Sequence, residues 1–204
     1  MPPDALLEEA AAGRLPDWAR MSRARRAHAE RVAALLGEWA ASLGLGPQET
    51  TRWVAAGMLH DGLREAPPEE LRPLVPATFR HLTGGLLHGP AAAERLRLDG
   101  VTDEPVLQAI AYHTIGHPDL DELGRALFIA DYIEPGRRHD QARLAKLRGR
   151  MPDQRNAVLV DVLRARMERT LSEGRSIRSE TAAFWNRVGT HAAGRAQDVE
   201  SRQA

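Results

Sequence analysis

An all-α helical bundle is the fold this sequence predicts, and three observations carry that expectation. Apolar residues recur at helical spacing in nearly every segment, proline and glycine punctuate those segments at helix-length intervals, and no stretch shows the period-two alternation of a half-buried strand. At 204 residues the chain can build one large core. We expect the main domain over residues 16–190, after an extension or short helix at 1–15 and before a flexible polar tail at 191–204.

A first short helix is expected over Asp4–Ala12, ended by Gly13. The spacing predicts a long helix over Pro16–Leu43, with Val32, Leu35, Leu36 and Trp39 on one face, broken by Gly44 and Gly46-Pro47. The next helix is expected over Pro47–His60. Pro67-Pro68, Pro73 and Pro76 then mark an irregular connection with room for one short turn. Helical signal resumes over Leu82–Leu98, interrupted at Gly84-Gly85 and Gly89-Pro90. Asp103-Glu104-Pro105 forms an acidic, proline-bearing first turn for a helix ending near His113. Another is expected over Pro118–Ile133, stopped by Pro135, and two more over Pro152–Ser172 and Ser179–Thr190.

Composition excludes some functions. Lys+Arg and Asp+Glu balance at 28 each, which argues against bulk nucleic-acid or anionic-membrane binding. Without cysteine there is no thiol nucleophile or thiolate, so a metal must be held by histidine and carboxylate. No run approaches the ~20 apolar residues of a membrane span. Met1-Pro2-Pro3-Asp4 lacks the basic and apolar regions of a signal peptide, so a cytoplasmic location is expected.

The chemistry is concentrated in a few polar residues set in apolar surroundings. His60-Asp61 closes the run Trp53-Val54-Ala55-Ala56-Gly57-Met58-Leu59, so a helix buried in the core ends on an imidazole beside a carboxylate. Such groups are costly to bury unless paired, hydrogen-bonded or bound to metal. His28 precedes Val32 and Leu35 by one and two turns, which puts it on the apolar face of a charged segment. His113 follows Val106 and Ile110 in the same way, and Asp131 interrupts Ala126-Leu127-Phe128-Ile129-Ala130. For Asp131 the plain alternative is a buried ion pair with an arginine. With His88, these residues make up a set able to hold two divalent metals, and Asp61 is the natural bridging carboxylate. His81, His117, His139 and His191 are weaker candidates.

The ordered pattern His28, His60-Asp61, Asp131 resembles the HD-domain metal-dependent phosphohydrolases. The resemblance extends to the YqeK-type subgroup through Leu87-His88-Gly89-Pro90-Ala91, His113-Thr114-Ile115-Gly116 and Leu127-Phe128-Ile129-Ala130-Asp131-Tyr132-Ile133-Glu134-Pro135-Gly136-Arg137. It implies symmetric hydrolysis of dinucleoside tetraphosphates, with diadenosine tetraphosphate giving two ADP. It also implies one metal on His28, His60, Asp61 and Asp131, and a second on Asp61, His88 and His113. Iron is the metal it suggests, with manganese or another divalent ion as substitutes. On the same reading, Asp61, Arg64 and Arg137 are catalytic, and Arg64, Thr114, Gly116, Glu134 and Arg137 contact substrate. Glu134 also suits a role orienting a ligand or Arg137. Arg138 and Lys146 are better read as solvated. The subgroup's lysine three residues after the aspartate is Arg64 here, and an aromatic residue common after the last block is replaced by Arg138-His139. The expected partner is a dinucleoside polyphosphate, and a homodimer is compatible with the sequence. The alternatives are another HD phosphohydrolase, acting on nucleoside mono- or triphosphates or cyclic nucleotides, and a nucleotide-sensing module without turnover.

Overall fold

The computed structural model describes the backbone of residues 5–200 and the side chains of residues 5–189; its last helix runs on through Glu200 where an end at Thr190 and a flexible tail are expected, and residues 201–204 of that tail lie outside the described residues. Ten α-helices occur among the described residues, with no strand. They are α1 (Ala5–Ala11), α2 (Arg23–Ser42), α3 (Pro47–Leu59), α4 (Pro68–Leu71), α5 (His88–Leu98), α6 (Glu104–Tyr112), α7 (Glu122–Ile133), α8 (Gln141–Arg148), α9 (Arg155–Ser172) and α10 (Ser179–Glu200). Short 3₁₀ turns at Ala77–Phe79 and Gly84–Leu86 bridge α4 and α5. No described helix is long and apolar enough to cross a membrane.

Helix α7 runs through the middle of the bundle, packed by α2, α3, α6, α8 and α9. Accordingly Leu123, Ala126, Leu127, Phe128, Ile129, Ala130 and Ile133 are all buried, so its apolar surface continues around the helix. On α2 the expected face, Val32, Leu35, Leu36 and Trp39, is buried together with His28. Leu6, Leu7 and Ala10 of α1 join the same core, and α1 packs on α3.

Two glycines set the closest helix approaches. A β-carbon at Gly57 would lie 2.6 Å from the Ala33 Cα, so α3 sits directly on the α2 backbone. One at Gly89 would lie 2.8 Å from the Ile110 carbonyl oxygen, so α5 sits as closely on α6. Each glycine is within one turn of a site histidine, His60 or His88.

Several boundaries differ from expectation. Helix α2 starts at Arg23 rather than Pro16 because Ser22 is its N-cap, accepting from the Arg25 backbone N–H at 3.2 Å. Ser22 is in turn held by Glu65, and the Arg20 N–H donates to the Gly62 carbonyl at 2.7 Å, which ties the preceding segment to the turn after His60. Helix α7 starts at Glu122 with Asp121 as its cap, and α5 starts at His88 because Gly84-Gly85 form a 3₁₀ turn. Helix α8 is an addition to the elements the sequence predicts. Only Leu144 and Leu147 of its eight residues are buried, and Asp140 caps it from a left-handed backbone at φ 42°.

Substituting Gly57→Ala should force α3 off α2 and destabilise the fold by about 1–3 kcal/mol, read as a lowered thermal midpoint with an altered histidine environment. At the start of α6, Asp103 accepts from the Val106 N–H at 3.1 Å and from Arg52 Nε and Nη2 at 2.5 and 2.8 Å. Burial would raise this carboxyl, but Arg52 and the cap hold it below its ordinary value of 3.8. Its stabilisation is therefore complete above pH ~4 and is lost as pH falls through the lower folded-state value. Asp103→Ala should cost about 1–2 kcal/mol at pH 7, and denaturant curves for the two proteins should converge as pH drops below ~4.

Candidate metal centre

Every candidate ligand but two sits at a helix end. His60 is the C-cap of α3 and Asp61 follows it; His88 opens α5; His113 is the C-cap of α6. His28 comes from the second turn of α2 and Asp131 from the last turns of α7. All six are buried, with His60 fully so.

The geometry turns on Asp61, whose two carboxylate oxygens face different histidine pairs. Oδ1 lies 3.0 Å from His88 Nε2 and 3.6 Å from His113 Nε2. Oδ2 lies 3.5 Å from His28 Nε2 and 3.6 Å from His60 Nε2. Asp131 Oδ1 faces the second pair, 3.2 Å from His28 and 3.8 Å from His60. Ligand atoms of His28, His60 and Asp131 lie within 4.8 Å of one another, as do those of His60, Asp61 and His113. Either group could hold a metal ion.

The opposite ring nitrogens fix what these atoms can be. The Nδ1–H of His60 donates to the Gly57 carbonyl at 2.8 Å, that of His88 to Gly85 at 2.5 Å, and that of His113 to Ile110 at 2.7 Å. His28 Nδ1–H donates to Glu134 Oε1 at 3.2 Å. When the rings are neutral, with the proton on Nδ1, each Nε2 presents a lone pair, as metal ligation requires. Yet His88 Nε2 and His113 Nε2 are only 3.0 Å apart, and His28 Nε2 and His60 Nε2 3.3 Å. Lone pairs facing one another beside two carboxylates repel unless cations lie among them. The donor set of imidazole and carboxylate fits divalent metal, and its oriented tautomers are those of metal-ligating histidine.

Arginines balance the carboxylates. Arg25 Nη1 pairs with Asp61 Oδ2 at 2.7 Å, and Arg166 Nη2 pairs with Asp131 Oδ2 at 2.8 Å. Arg166 also lies over the Phe128 ring at 4.4 Å. Arg31 Nε donates to Glu134 Oε2 at 2.5 Å. The arginine ion pair weighed for Asp131 is thus present alongside the histidines. Burial would raise Asp61, but His60, His113 and His88 hold it well below the carboxylate range. Burial would likewise raise Asp131, which His28, Arg166 and Arg137 hold equally low. Glu134 is kept at about 2 against the effect of burial by His28, Arg31 and the Gly136 N–H. Burial pushes His60 down to about 4. It also pulls on His28, but Asp131 and Glu134 outweigh it and leave that imidazole raised.

The other sequence candidates fall in distinct places. Arg64 is exposed, makes no ion pair among the described residues, and lies against Gly85, where a β-carbon would be 2.8 Å from Nη1. Thr114 Oγ1–H donates to His113 Nε2 at 3.1 Å. Arg137 turns inward: its Nε donates to the Asp131 carbonyl at 2.9 Å, and Nη2 also reaches the Asp131 carboxylate. Glu134 is buried behind His28 rather than on an open surface. Gly116 takes φ 73° and packs under Phe184 and Phe128, as part of the core. Arg25 and Arg166 are the site residues that sequence reasoning misses. Arg25 stands one turn before His28, and Arg166 follows Val162 and Leu163 at helical spacing, so the periodicity that exposes His28 also marks both.

The chain belongs to the HD domain family, whose model matches residues 25–136. It is 35% identical over 104 residues to the symmetrical bis(5'-nucleosyl)-tetraphosphatase of Halalkalibacterium halodurans, covering 50% of this chain and 54% of that protein. To the protein of the same description from Bacillus subtilis it is 36% identical over 88 residues, covering 40% and 47%. The chain thus aligns with about half the length of these curated relatives. The crystal structure of a predicted HD superfamily hydrolase involved in NAD metabolism from Clostridium acetobutylicum matches with a TM-score of 0.70 at 22% identity, over 91% of this chain and 96% of that one. That match establishes the fold.

In the metal-free protein, histidine NMR should find His60 as a neutral Nδ1–H tautomer until the pH approaches about 4. His28 should remain protonated above its ordinary value of 6.5. A His60 resonance titrating near 6.5 would contradict the burial and tautomer described.

Proposed function

We propose that this chain hydrolyses dinucleoside tetraphosphates symmetrically, so that diadenosine tetraphosphate yields two ADP. The observation that carries the reading is the two-faced Asp61 carboxylate between two histidine pairs, on a chain similar over half its length to symmetrical tetraphosphatases. On this reading His28, His60, Asp61 and Asp131 would hold one divalent metal, and Asp61, His88 and His113 would hold the other. Iron is the proposed metal, and manganese would serve in its place. Bound divalent metal supplies Lewis acidity that makes hydroxide available near neutral pH and offsets phosphate charge.

The protein's own groups then divide the work. Arg64, exposed at the rim and without an ion pair among the described residues, grips phosphate oxygens, as a planar guanidinium can do with two N–H groups. The Thr114 hydroxyl beside His113 is a second contact available to substrate. Arg25 steadies Asp61, while Arg137 and Arg166 steady Asp131 from opposite sides. Glu134 fixes the His28 ring through Nδ1. We therefore assign Arg137 and Glu134 to positioning, and Arg64 to substrate.

Anaerobic turnover with ferrous or manganese ion tests this directly. Diadenosine tetraphosphate should give ADP as the sole product. ATP plus AMP would overturn the symmetric register, and turnover of ATP, AMP or cyclic AMP alone would overturn the substrate class. Asp61→Asn should lose bound metal at both positions, measured by elemental analysis, and with it activity. Arg64→Gln should keep its metal and raise KM about ten- to a hundredfold, because a charged phosphate contact is worth roughly 1.5–3 kcal/mol.

A further inference from the structure

A second site lies at the other end of the central helix. Ten residues of chain separate Asp121 from Asp131, about 15 Å at the rise of an α-helix. There, between α2, α3, α7 and α9, is a cavity of ≈ 360 Å³. Its walls include Trp39, Trp53, Ile129, Met151 and Leu159. The Trp53 ring is fixed by its Nε1–H, which donates to Glu49 Oε1 at 3.1 Å. Indole and aliphatic side chains form its floor, while Asp121, Glu122, Arg125, Arg155 and Asn156 supply a charged and polar side.

Among the described residues, one of the two arginines at the cavity is paired and the other is not. Glu122 pairs with Arg155 at 2.5 Å, and Asp121 accepts the Gly124 N–H at 2.8 Å as the cap of α7. Arg125, which also lines the cavity, has no side-chain hydrogen bond or ion pair among the described residues, and its Nε is shut off from solvent without an acceptor. Closed Nε atoms without an acceptor also occur at Arg25, Arg95 and Arg166, so what sets Arg125 apart among the cavity's arginines is that its guanidinium has no carboxylate partner among the described residues, whereas Arg155 has one.

We infer that this cavity binds a small aryl carboxylate, its ring between the apolar walls and its carboxylate on Arg125. A flat one- or two-ring body suits the volume and the indoles. A single negative charge suits the single unpaired arginine. A doubly charged phosphate would meet one guanidinium together with the carboxylates of Asp121 and Glu122, so a monoanion is favoured. The site shares no residue with the metal centre and does not depend on the proposed reaction.

The probe is 2-naphthoate, titrated calorimetrically into the metal-loaded full chain, with neutral 2-naphthamide and dianionic 2-naphthyl phosphate as comparators. The expected result is saturable one-to-one binding with Kd on the order of 0.1 mM. Each comparator should bind at least tenfold more weakly. Arg125→Gln should weaken naphthoate at least tenfold with an unchanged thermal midpoint. Asn156 lines the cavity from an exposed position, so Asn156→Trp should obstruct it without disturbing the core. No saturable binding by the unaltered protein would overturn the inference. Equal affinity in Arg125→Gln, or for the naphthamide, would overturn it as well, by reducing the effect to hydrophobic association.

Discussion

Mutual repulsion among electron pairs is the constraint around which this bundle is arranged. Four imidazole nitrogens and the carboxylates of Asp61 and Asp131 converge in its interior. Backbone carbonyls and Glu134 hold the ring protons on the far side. Water is largely excluded, so the repulsion is weakly screened. Positive charge must enter this space, and the protein offers two kinds. Arginines supply it permanently from the flanks, and the remaining gap between the two faces of Asp61 has the chemistry of divalent metal.

Helix packing makes that convergence possible. Imidazoles reach a common point only if α3 lies close on α2 and α5 close on α6. Gly57 and Gly89 remove the β-carbons that would hold those pairs apart. Carbonyls at helix C-termini lack intrahelical partners, and His60 and His113 use their ring N–H groups to satisfy Gly57 and Ile110 within the last turn. The same bonds that finish the helices therefore orient the rings.

Burial energetics also decides which residues are legible in the sequence. Polar residues in apolar runs are energetically conspicuous, so His28, His60, Asp61, His113 and Asp131 stand out, and the helical class follows from periodicity. What stays hidden depends on tertiary partners. Helix α8 buries only Leu144 and Leu147 and has no period to detect. The start of α2 is decided by Ser22 and its tie to Glu65, forty-three residues away. Arg137 reads as a substrate contact because nothing local announces that its guanidinium turns back onto Asp131. Arg25 and Arg166 do leave a periodic signal, but arginine is so often a solvated face residue that the signal carries little weight.

The arginine inventory also narrows how an anionic substrate can be met. Arg25, Arg31, Arg137 and Arg166 are each engaged with Asp61, Glu134 or Asp131. Diverting any of them to a phosphate would leave a buried carboxylate with less compensation, a penalty as large as the phosphate interaction itself. Arg64 carries no such obligation among the described residues. It is exposed, and it lies against Gly85, whose carbonyl orients His88. A guanidinium fixed in an ion pair has its geometry set by the protein, whereas an exposed one can follow a substrate's phosphates. Permanent counter-charge inside falls to Arg25, Arg31, Arg137 and Arg166, and on the proposed reading Arg64 is the cation left for substrate.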